Sequence, residues 1–289
     1  MPIPRSIAEY SEWRLEDGTR KHSQGLVQVA TESLNRVPVM PLYEAEAIVL
    51  RQYALSDSDR IIVFITKEFG KIRAAAKGVK KPKSRLAGSL EPLNHIHLEF
   101  YGKEGHDLSQ IRHAELIRSY LGINPSLEQV YAYSYFAEIV NEIVQDGQAN
   151  YPLFRLILGV MEAGAKKGIT PALVRYFEIW CLKLSGLFPN YAYCSNCGKC
   201  VKDDGFFAWI EVGQARCDVC AQGRGIWIGA PAAAALTLMA KLPPEQFAAS
   251  PLAIDAAREI ERLSQRLLAL HLEKRLKSYR ILSEALQSA

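Results

Sequence analysis

The hydrophobic pattern of the chain changes once, and this change limits the folds open to it. Between about residues 42 and 121, apolar residues recur at every second position; after the turn Gly122-Ile123-Asn124-Pro125 they recur about every 3.6 residues. Period two is typical of strands with one buried face, and period 3.6 of helices with one buried face. The sequence therefore predicts an α+β protein in which a β region precedes a helical region.

Five short strands are expected between residues 42 and 121. Arg60–Thr66 is a β-branched run typical of a buried strand. In Leu93–Tyr101, apolar and polar residues alternate, with Ile96, Leu98 and Phe100 on one face. Five strands in so short a stretch favour a small barrel, and the OB-fold is the commonest five-stranded choice. We therefore predict an OB-fold DNA-binding domain over residues 42–121.

A helical domain is expected over residues 122–289. Residues that commonly begin helices mark its starts, namely Ser126, Thr170-Pro171, Ala230-Pro231 and Ser250-Pro251. The pattern after Pro251 stays helical to about Leu286, as one long helix or as two.

Residues 1–41 carry no sustained period, and we expect a poorly ordered N-terminal extension there. Their first thirty positions contain no apolar core of a secretory signal. The longest apolar run, about Gly229–Ala240, is shorter than the roughly 20 residues that span a bilayer. The expectation is a cytoplasmic protein without membrane contact.

Two C-x-x-C pairs, Cys194/Cys197 and Cys217/Cys220, are separated by 19 residues. This spacing is typical of a four-thiolate zinc site, because each short turn brings two sulfurs to one point and Zn²⁺ takes four in a tetrahedron. Gly198 follows the second cysteine, where a left-handed residue turns backbone N–H groups toward the sulfurs. We predict a structural zinc in a ribbon-like insert over residues 194–220, with a small hairpin between the two pairs.

Two further cysteines complicate this assignment. Cys200 also stands in C-x-x-C register with Cys197, so it is an alternative ligand to Cys194. We prefer Cys194 because Gly198 then follows the ligand pair. Cys181 lies on an apolar helix and is expected in the core.

The net charge of +4 is unevenly distributed. Residues 67–85 hold eight basic residues and one acidic residue, a balance of 8 − 1 = +7, so the remainder sums to 4 − 7 = −3. One basic segment on a mildly acidic body suggests a polyanionic partner. Pro82 and Gly78 disfavour a helix here, and we expect the side chains to project from an extended loop toward DNA phosphates. The candidate DNA-binding residues are Lys71, Arg73, Lys77, Lys80, Lys81, Lys83 and Arg85.

The sequence offers no catalytic motif, and we expect a protein that is not an enzyme. His95 and His97 alternate on one strand without a third metal ligand, and we interpret both as surface residues. A metal-dependent nuclease that uses Asp57 and Asp59 is a remaining alternative, although turn formation before Arg60 explains the pair more simply.

Several segments together resemble the bacterial RecO family of recombination mediators. They are Glu46-Ala47-Ile48-Val49-Leu50, Ser56-Asp57-Ser58-Asp59-Arg60, Gly70-Lys71, Ala76-Lys77-Gly78-Val79-Lys80-Lys81-Pro82-Lys83-Ser84-Arg85-Leu86 and Leu90-Glu91-Pro92-Leu93. The cysteine insert in a helical domain agrees with the many family members that carry zinc. The resemblance covers about residues 42–286; the N-terminal extension and Cys200 depart from it.

This resemblance implies a DNA repair protein that binds single- and double-stranded DNA and anneals complementary strands. It implies that the protein works with RecR to load RecA onto strands coated by single-stranded DNA-binding protein (SSB), and that it contacts the acidic, hydrophobic C-terminal tail of SSB. Nucleoid association in the cytoplasm would follow. The alternative is a zinc-ribbon module for transcription or protein interaction, in which Trp209 and Arg216 matter more than Lys80 and Lys81.

Overall fold

The computed structural model describes residues 40–102 and 108–288, and it confirms the α+β order. The predicted extension at residues 1–41 lies outside the described residues except for its last two positions. The first five strands are β1 (Leu42–Ala54), β2 (Arg60–Thr66), β3 (Gly70–Ala76), β4 (Asn94–Tyr101) and β5 (Ser109–Ser119).

These five strands form a closed barrel in the order β1-β2-β3-β5-β4, with β4 pairing back to β1. Neighbours are antiparallel except β3 and β5, whose short parallel pairing closes the barrel. The predicted alternation is confirmed on β4, where Ile96, Leu98 and Phe100 are buried inside the barrel. A bulge between Val49 and Arg51 shifts the register of β1 against β2.

Strand β2 is buried on both faces, which explains its continuous apolar sequence. Ile62 and Phe64 point into the barrel, while Val63 and Ile65 belong to the core of the helical region. The barrel therefore packs one side against the helices, and β1 and β2 both contact the first helix that follows.

Three helices follow the barrel: α1 (Leu127–Ile143), α2 (Tyr151–Lys167) and α3 (Pro171–Leu184). Ser126 and Thr170 accept hydrogen bonds from backbone N–H groups at the starts of α1 and α3, which confirms both predicted N-caps. A small sheet with the single helical turn α4 (Asp218–Ala221) follows. After it come four more helices, α5 (Ala230–Met239), α6 (Pro244–Ala248), α7 (Ile254–Leu272) and α8 (Lys277–Ser288). The chain after Pro251 is thus two helices, and α7 begins three residues later than Pro251 suggested.

The cysteine insert contains more structure than a hairpin. It comprises β6 (Gly205–Trp209), β7 (Gln214–Arg216), the single turn α4 (Asp218–Ala221) and β8 (Ile226–Gly229). Strands β6 and β7 form the predicted hairpin, and β8 adds a third, unpredicted strand, giving the order β7-β6-β8. One face of this sheet packs into the helical core through Phe206, Ala208, Ala215 and Ile228. None of the described helices is both long and apolar enough to cross a membrane.

Candidate nucleic-acid interface and metal centre

The basic loop, residues 77–85, leaves the barrel at the end of β3. Its backbone makes successive turns, with Lys81 N–H donating to the Gly78 carbonyl at 3.1 Å and Ser84 N–H to that of Lys81 at 2.9 Å. The prediction of an extended loop was therefore wrong. The buried side chains of Val79 and Leu90 hold the loop against the barrel, which is why it coils instead of running out into solvent.

Asp59 fixes the start of the basic loop. Its carboxylate accepts the backbone N–H of Gly78 at 2.7 Å and the Ser58 hydroxyl at 3.0 Å. The hydrogen bond from Gly78, followed by that from Ser58, lowers the pKa of Asp59 below its ordinary value. Asp59 thus acts in turn formation, as expected, and the described residues place no group of three or more metal-ligating side chains around it.

The hairpin between β1 and β2 also holds the loop. Lys80 N–H donates to the Ser58 carbonyl at 3.1 Å, and the Lys80 ammonium donates to the Ser56 carbonyl at 3.2 Å. The loop and this hairpin therefore form one surface at one end of the barrel.

Five predicted cations share that surface and are exposed, namely Lys77, Lys80, Lys81, Lys83 and Arg85. No carboxylate in the described parts of the chain lies within 4.0 Å of any of them. Five unpaired cations on a short anchored loop produce a local positive potential suited to phosphates.

Lys71 and Arg73 do not join this group. Lys71 is only 8% exposed; its ammonium lies 3.1 Å from Asp146 and donates to the Asn141 carbonyl at 2.8 Å. The Arg73 guanidinium lies 3.0 Å from the same Asp146 carboxylate. Both cations therefore connect β3 to the segment after α1. Lys71 is buried and is therefore not placed to reach a phosphate. Arg73 shares the single Asp146 carboxylate with Lys71 and is exposed, so its assignment as a phosphate contact stays a prediction.

An exposed tyrosine near the basic loop was missed in the sequence. Tyr53 is 45% exposed, and the Arg51 guanidinium lies 5.7 Å from the centre of its ring. Both side chains lie on β1 just before the hairpin that holds Lys80. Phe64 on the neighbouring strand is buried, whereas the bulge after Val49 changes which β1 side chains face out.

His95 is also placed differently from its prediction. It is buried between the barrel and α2, with Nε2 2.8 Å from a Glu46 oxygen and its ring 6.2 Å from that of Phe154. Burial lowers the pKa of His95, although the neighbouring Glu46 carboxylate favours the charged form. The interpretation of His95 as a surface residue was wrong; His97 is partly exposed.

The four predicted cysteine ligands come together. The sulfurs of Cys194, Cys197, Cys217 and Cys220 all lie within 4.8 Å of one another, and those of Cys197 and Cys217 are 3.7 Å apart. A tetrahedral Zn²⁺ with bonds of about 2.3 Å separates its sulfurs by about 3.8 Å, so this donor set fits the ion. Cys200 is exposed and outside the cluster, which supports Cys194 over Cys200 as the ligand.

Backbone geometry in the first C-x-x-C turn prepares the site. Gly198 has a φ of +74°, as predicted, and its N–H donates to the Cys194 carbonyl at 2.9 Å. Although burial opposes ionisation, hydrogen bonds from the backbone of Cys217, Cys197 and Asn196 lower the pKa of the Cys194 thiol to about 6. The thiolate is the form that binds a metal.

A third candidate site is a groove between α3, α7 and α8 that the sequence did not indicate. It has a volume of about 890 Å³ and an apolar wall that includes Leu252, Ile254, Leu282 and Leu286. The buried Arg175 lines it, with one nitrogen 3.1 Å from Glu178 and Nη1 3.6 Å from Glu261, which also lines the groove. Only the Nε of Arg175 has no hydrogen-bond acceptor or carboxylate partner among the described residues.

Comparison with known proteins places the chain in a family. Its residues 40–120 match the model for "Recombination protein O N terminal", and residues 124–280 match "Recombination protein O C terminal". A protein named DNA repair protein RecO from Koribacter versatilis (strain Ellin345) is 29% identical over 238 residues, which cover 81% of this chain and 96% of the relative. The proteins of that name from Anaeromyxobacter sp. (strain K) and Nocardioides sp. (strain ATCC BAA-499 / JS614) are each 31% identical, over 82% of this chain and 94% and 97% of their own lengths. The chain therefore belongs to the RecO family of DNA repair proteins.

Proposed function

We propose that this protein is a DNA-binding recombination mediator, not an enzyme. It binds single- and double-stranded DNA, anneals complementary strands, and acts with RecR to load RecA onto strands coated by SSB. The observation that carries the proposal is the exposed basic loop, whose five cations have no carboxylate partner in the described parts of the chain. In this proposal the barrel, residues 42–121, serves as an OB-fold that positions the loop, and residues 122–289 form the helical domain.

The proposed annealing mechanism is electrostatic. Lys77, Lys80, Lys81, Lys83 and Arg85 neutralise phosphates without reading bases, so two strands held near the loop repel each other less. Tyr53 adds a ring on which an unpaired base can stack beside the loop. About five phosphate contacts predict a slope of log K against log salt near −3.5 for single strands.

The test is single-stranded DNA binding across salt concentrations for the wild type and for Lys80→Ala/Lys81→Ala/Lys83→Ala. Removing three phosphate contacts should weaken binding and reduce the slope by about 2 units. The matched control, Lys166→Ala/Lys167→Ala/Lys241→Ala, removes the same charge from exposed lysines of the helical region. Equal slopes for the loop variant and the wild type would place the phosphate contacts elsewhere.

We further propose that Cys194, Cys197, Cys217 and Cys220 hold a structural Zn²⁺. When bound, the ion would cross-link the two C-x-x-C turns and, with four thiolates, leave no coordination position for a substrate.

We propose the groove beside Arg175 as the binding surface for the SSB tail. An acidic, hydrophobic peptide would place apolar side chains against Leu252, Ile254 and Leu282. Its carboxylate would accept a hydrogen bond from the Arg175 Nε, which has no acceptor among the described residues, and would compete with Glu261 for Nη1. Arg258, which also lines the groove, adds an exposed cation at its opening.

A further inference from the structure

The three-stranded sheet of the cysteine insert presents an aromatic face away from the core. Side chains alternate along its strands: Phe206, Ala208 and Ile228 enter the core, and the residues between them point outward. The outward set, here called the ribbon face, consists of Phe207, Trp209, Arg216 and Trp227. In the strand register Phe207 stands opposite both Arg216 and Trp227, so the set forms one continuous patch.

The side chains of the ribbon face are held in fixed positions. The rings of Phe207 and Trp227 lie 4.7 Å apart, and the Trp209 indole N–H donates to the Arg224 carbonyl at 2.9 Å. Gly225 makes room for this indole, since a Cβ there would lie 2.7 Å from the Trp209 ring and its φ is +104°. Trp227 nevertheless remains 39% exposed. The rings are thus preorganised and accessible.

Cations accompany these rings. The Arg216 guanidinium carbon lies 3.7 Å from the centre of the Trp209 ring, and its buried Nε has no hydrogen-bond acceptor among the described residues. Arg224 is exposed, and no described carboxylate within 4.0 Å pairs with it.

Nearby carboxylates are committed to other partners. Glu211 lies 3.0 Å from Arg266, Asp204 lies 2.8 Å from Lys199, and Glu259 accepts the Gly229 backbone N–H at 2.6 Å. Arg216 and Arg224, which have no carboxylate within 4.0 Å among the described residues, are therefore available to a phosphate beside the rings.

We infer that the ribbon face is a second binding surface for single-stranded DNA, on which unpaired bases stack. The exposed Trp227 indole, with the Phe207 ring tilted at 48° against it, offers one apolar stacking surface. The Arg216 guanidinium beside the Trp209 ring offers a second surface that is also cationic. Stacking platforms beside arginines are the means by which proteins bind single strands without reading sequence. This inference rests on the proposed function for its ligand but concerns a different surface.

Such a second surface has a consequence for annealing. A chain that holds one strand at the basic loop and another at the ribbon face binds both members of a pair at once.

The test compares oligothymidine binding by the full-length Lys80→Ala/Lys81→Ala/Lys83→Ala variant with and without an added Trp227→Ala change. Losing one stacked base should weaken binding about 5- to 100-fold. The salt slope should not change further, because the indole carries no charge. Trp227→Phe should restore most of the affinity, since it keeps a flat ring. Tyr193→Ala, which removes an exposed aromatic of the insert outside the sheet, should leave binding unchanged.

The outcomes separate the two hypotheses. If Trp227→Ala leaves oligothymidine affinity unchanged, the ribbon face does not bind DNA and the inference is wrong, and the salt slope of the loop variant still decides the proposed function. If the loop variant keeps the wild-type salt slope while Trp227→Ala weakens binding, the ribbon face binds DNA and the assignment of phosphate contacts to the basic loop is wrong. Retained thermal stability of Trp227→Ala, together with recovered affinity in Trp227→Phe, would show that a loss in Trp227→Ala comes from stacking and not from unfolding.

Discussion

At the scale of single residues, the partner decides the role of a charge. Lys71 and Lys80 are the same residue type in the same basic segment. Lys71 meets Asp146 and is buried, whereas Lys80 bonds only to a carbonyl of the neighbouring hairpin and stays exposed. A buried ion pair contributes to the contact between the barrel and the helical region, and an exposed cation is available to phosphates.

The two arginines that line the groove, Arg175 and Arg258, give a prediction at this scale. Arg258→Ala should weaken binding of a synthetic SSB tail peptide by about 1 kcal/mol, because the side chain is exposed at the groove opening. Arg175→Lys should weaken peptide binding by about 1.5–3 kcal/mol. A lysine ammonium lacks the planar guanidinium with which arginine can bind Glu178 and a peptide carboxylate at the same time. Fluorescence anisotropy of the labelled peptide measures both.

The control for the groove is Arg262→Ala. Arg262 is exposed on the same helix, α7, but does not line the groove. If Arg262→Ala weakens peptide binding as much as Arg258→Ala does, the effect comes from general charge and the groove is not the site.

At the scale of elements, the cysteine insert depends on two sources of stability. Its sheet places Phe206, Ala208, Ala215 and Ile228 in the helical core. Its two C-x-x-C turns have little apolar surface to bury, and Val219 between the second pair is 83% exposed. A cross-link would stabilise these turns, and the proposed metal on four thiolates would supply it.

Removing a ligand should consequently unfold the turns and spare the helices. Cys197→Ser is expected to lower the zinc content far below the value of about one per chain for the wild type. Proteolysis should then cut near residues 195–204, while far-ultraviolet circular dichroism changes little. Elemental analysis and limited proteolysis measure these effects.

Cys200→Ser is the matched control for the metal site. Cys200 lies in the same turn region but outside the cluster, so this variant should keep its zinc and its protease resistance. Loss of zinc in Cys200→Ser with retention in Cys194→Ser would reverse the ligand assignment.

At the scale of the whole molecule, the barrel and the helical region share one interface. Val63 and Ile65 of β2 pack into the helical core, and His95 lies in the same interface with Glu46, Glu162 and Arg118 as its charged neighbours. Protonating this imidazole places a charge in a buried position, which weakens the interface.

The pH dependence of stability follows from the lowered pKa of His95. Above pH 6.5, the ordinary pKa of histidine, the His95 imidazole is neutral in both the folded and the unfolded state. Its protonation then costs no stability. As the pH falls below 6.5, the unfolded state takes up a proton that the folded state resists, so stability decreases until the lower, folded pKa is reached. From about pH 7.5 to about pH 5.5, the wild type should lose more free energy of unfolding than His95→Gln, by at most about 1.4 kcal/mol per pH unit.

Urea unfolding at the two pH values measures this difference. His113→Gln, which removes an exposed histidine of the barrel, is the matched substitution for comparison. Identical pH dependences for the wild type and His95→Gln would show that His95 does not titrate in a buried site.

Local sequence determined much of this protein. Period two and period 3.6 predicted the strands and helices, because each reflects one buried face of a regular element. The N-caps at Ser126 and Thr170, the left-handed Gly198 and the choice of Cys194 over Cys200 were also predicted, since each depends on neighbours a few positions away.

Only the tertiary structure decided the roles that depend on distant partners. Asp146 forms ion pairs with both Lys71 and Arg73, α2 buries His95, and strand β8 turns the hairpin into a sheet with an aromatic face. The groove beside Arg175 forms where α3 packs near α7 and α8, which follow it only after the whole cysteine insert. Burial and ion pairing depend on what packs against a side chain, and a pattern of nearest neighbours does not contain that information.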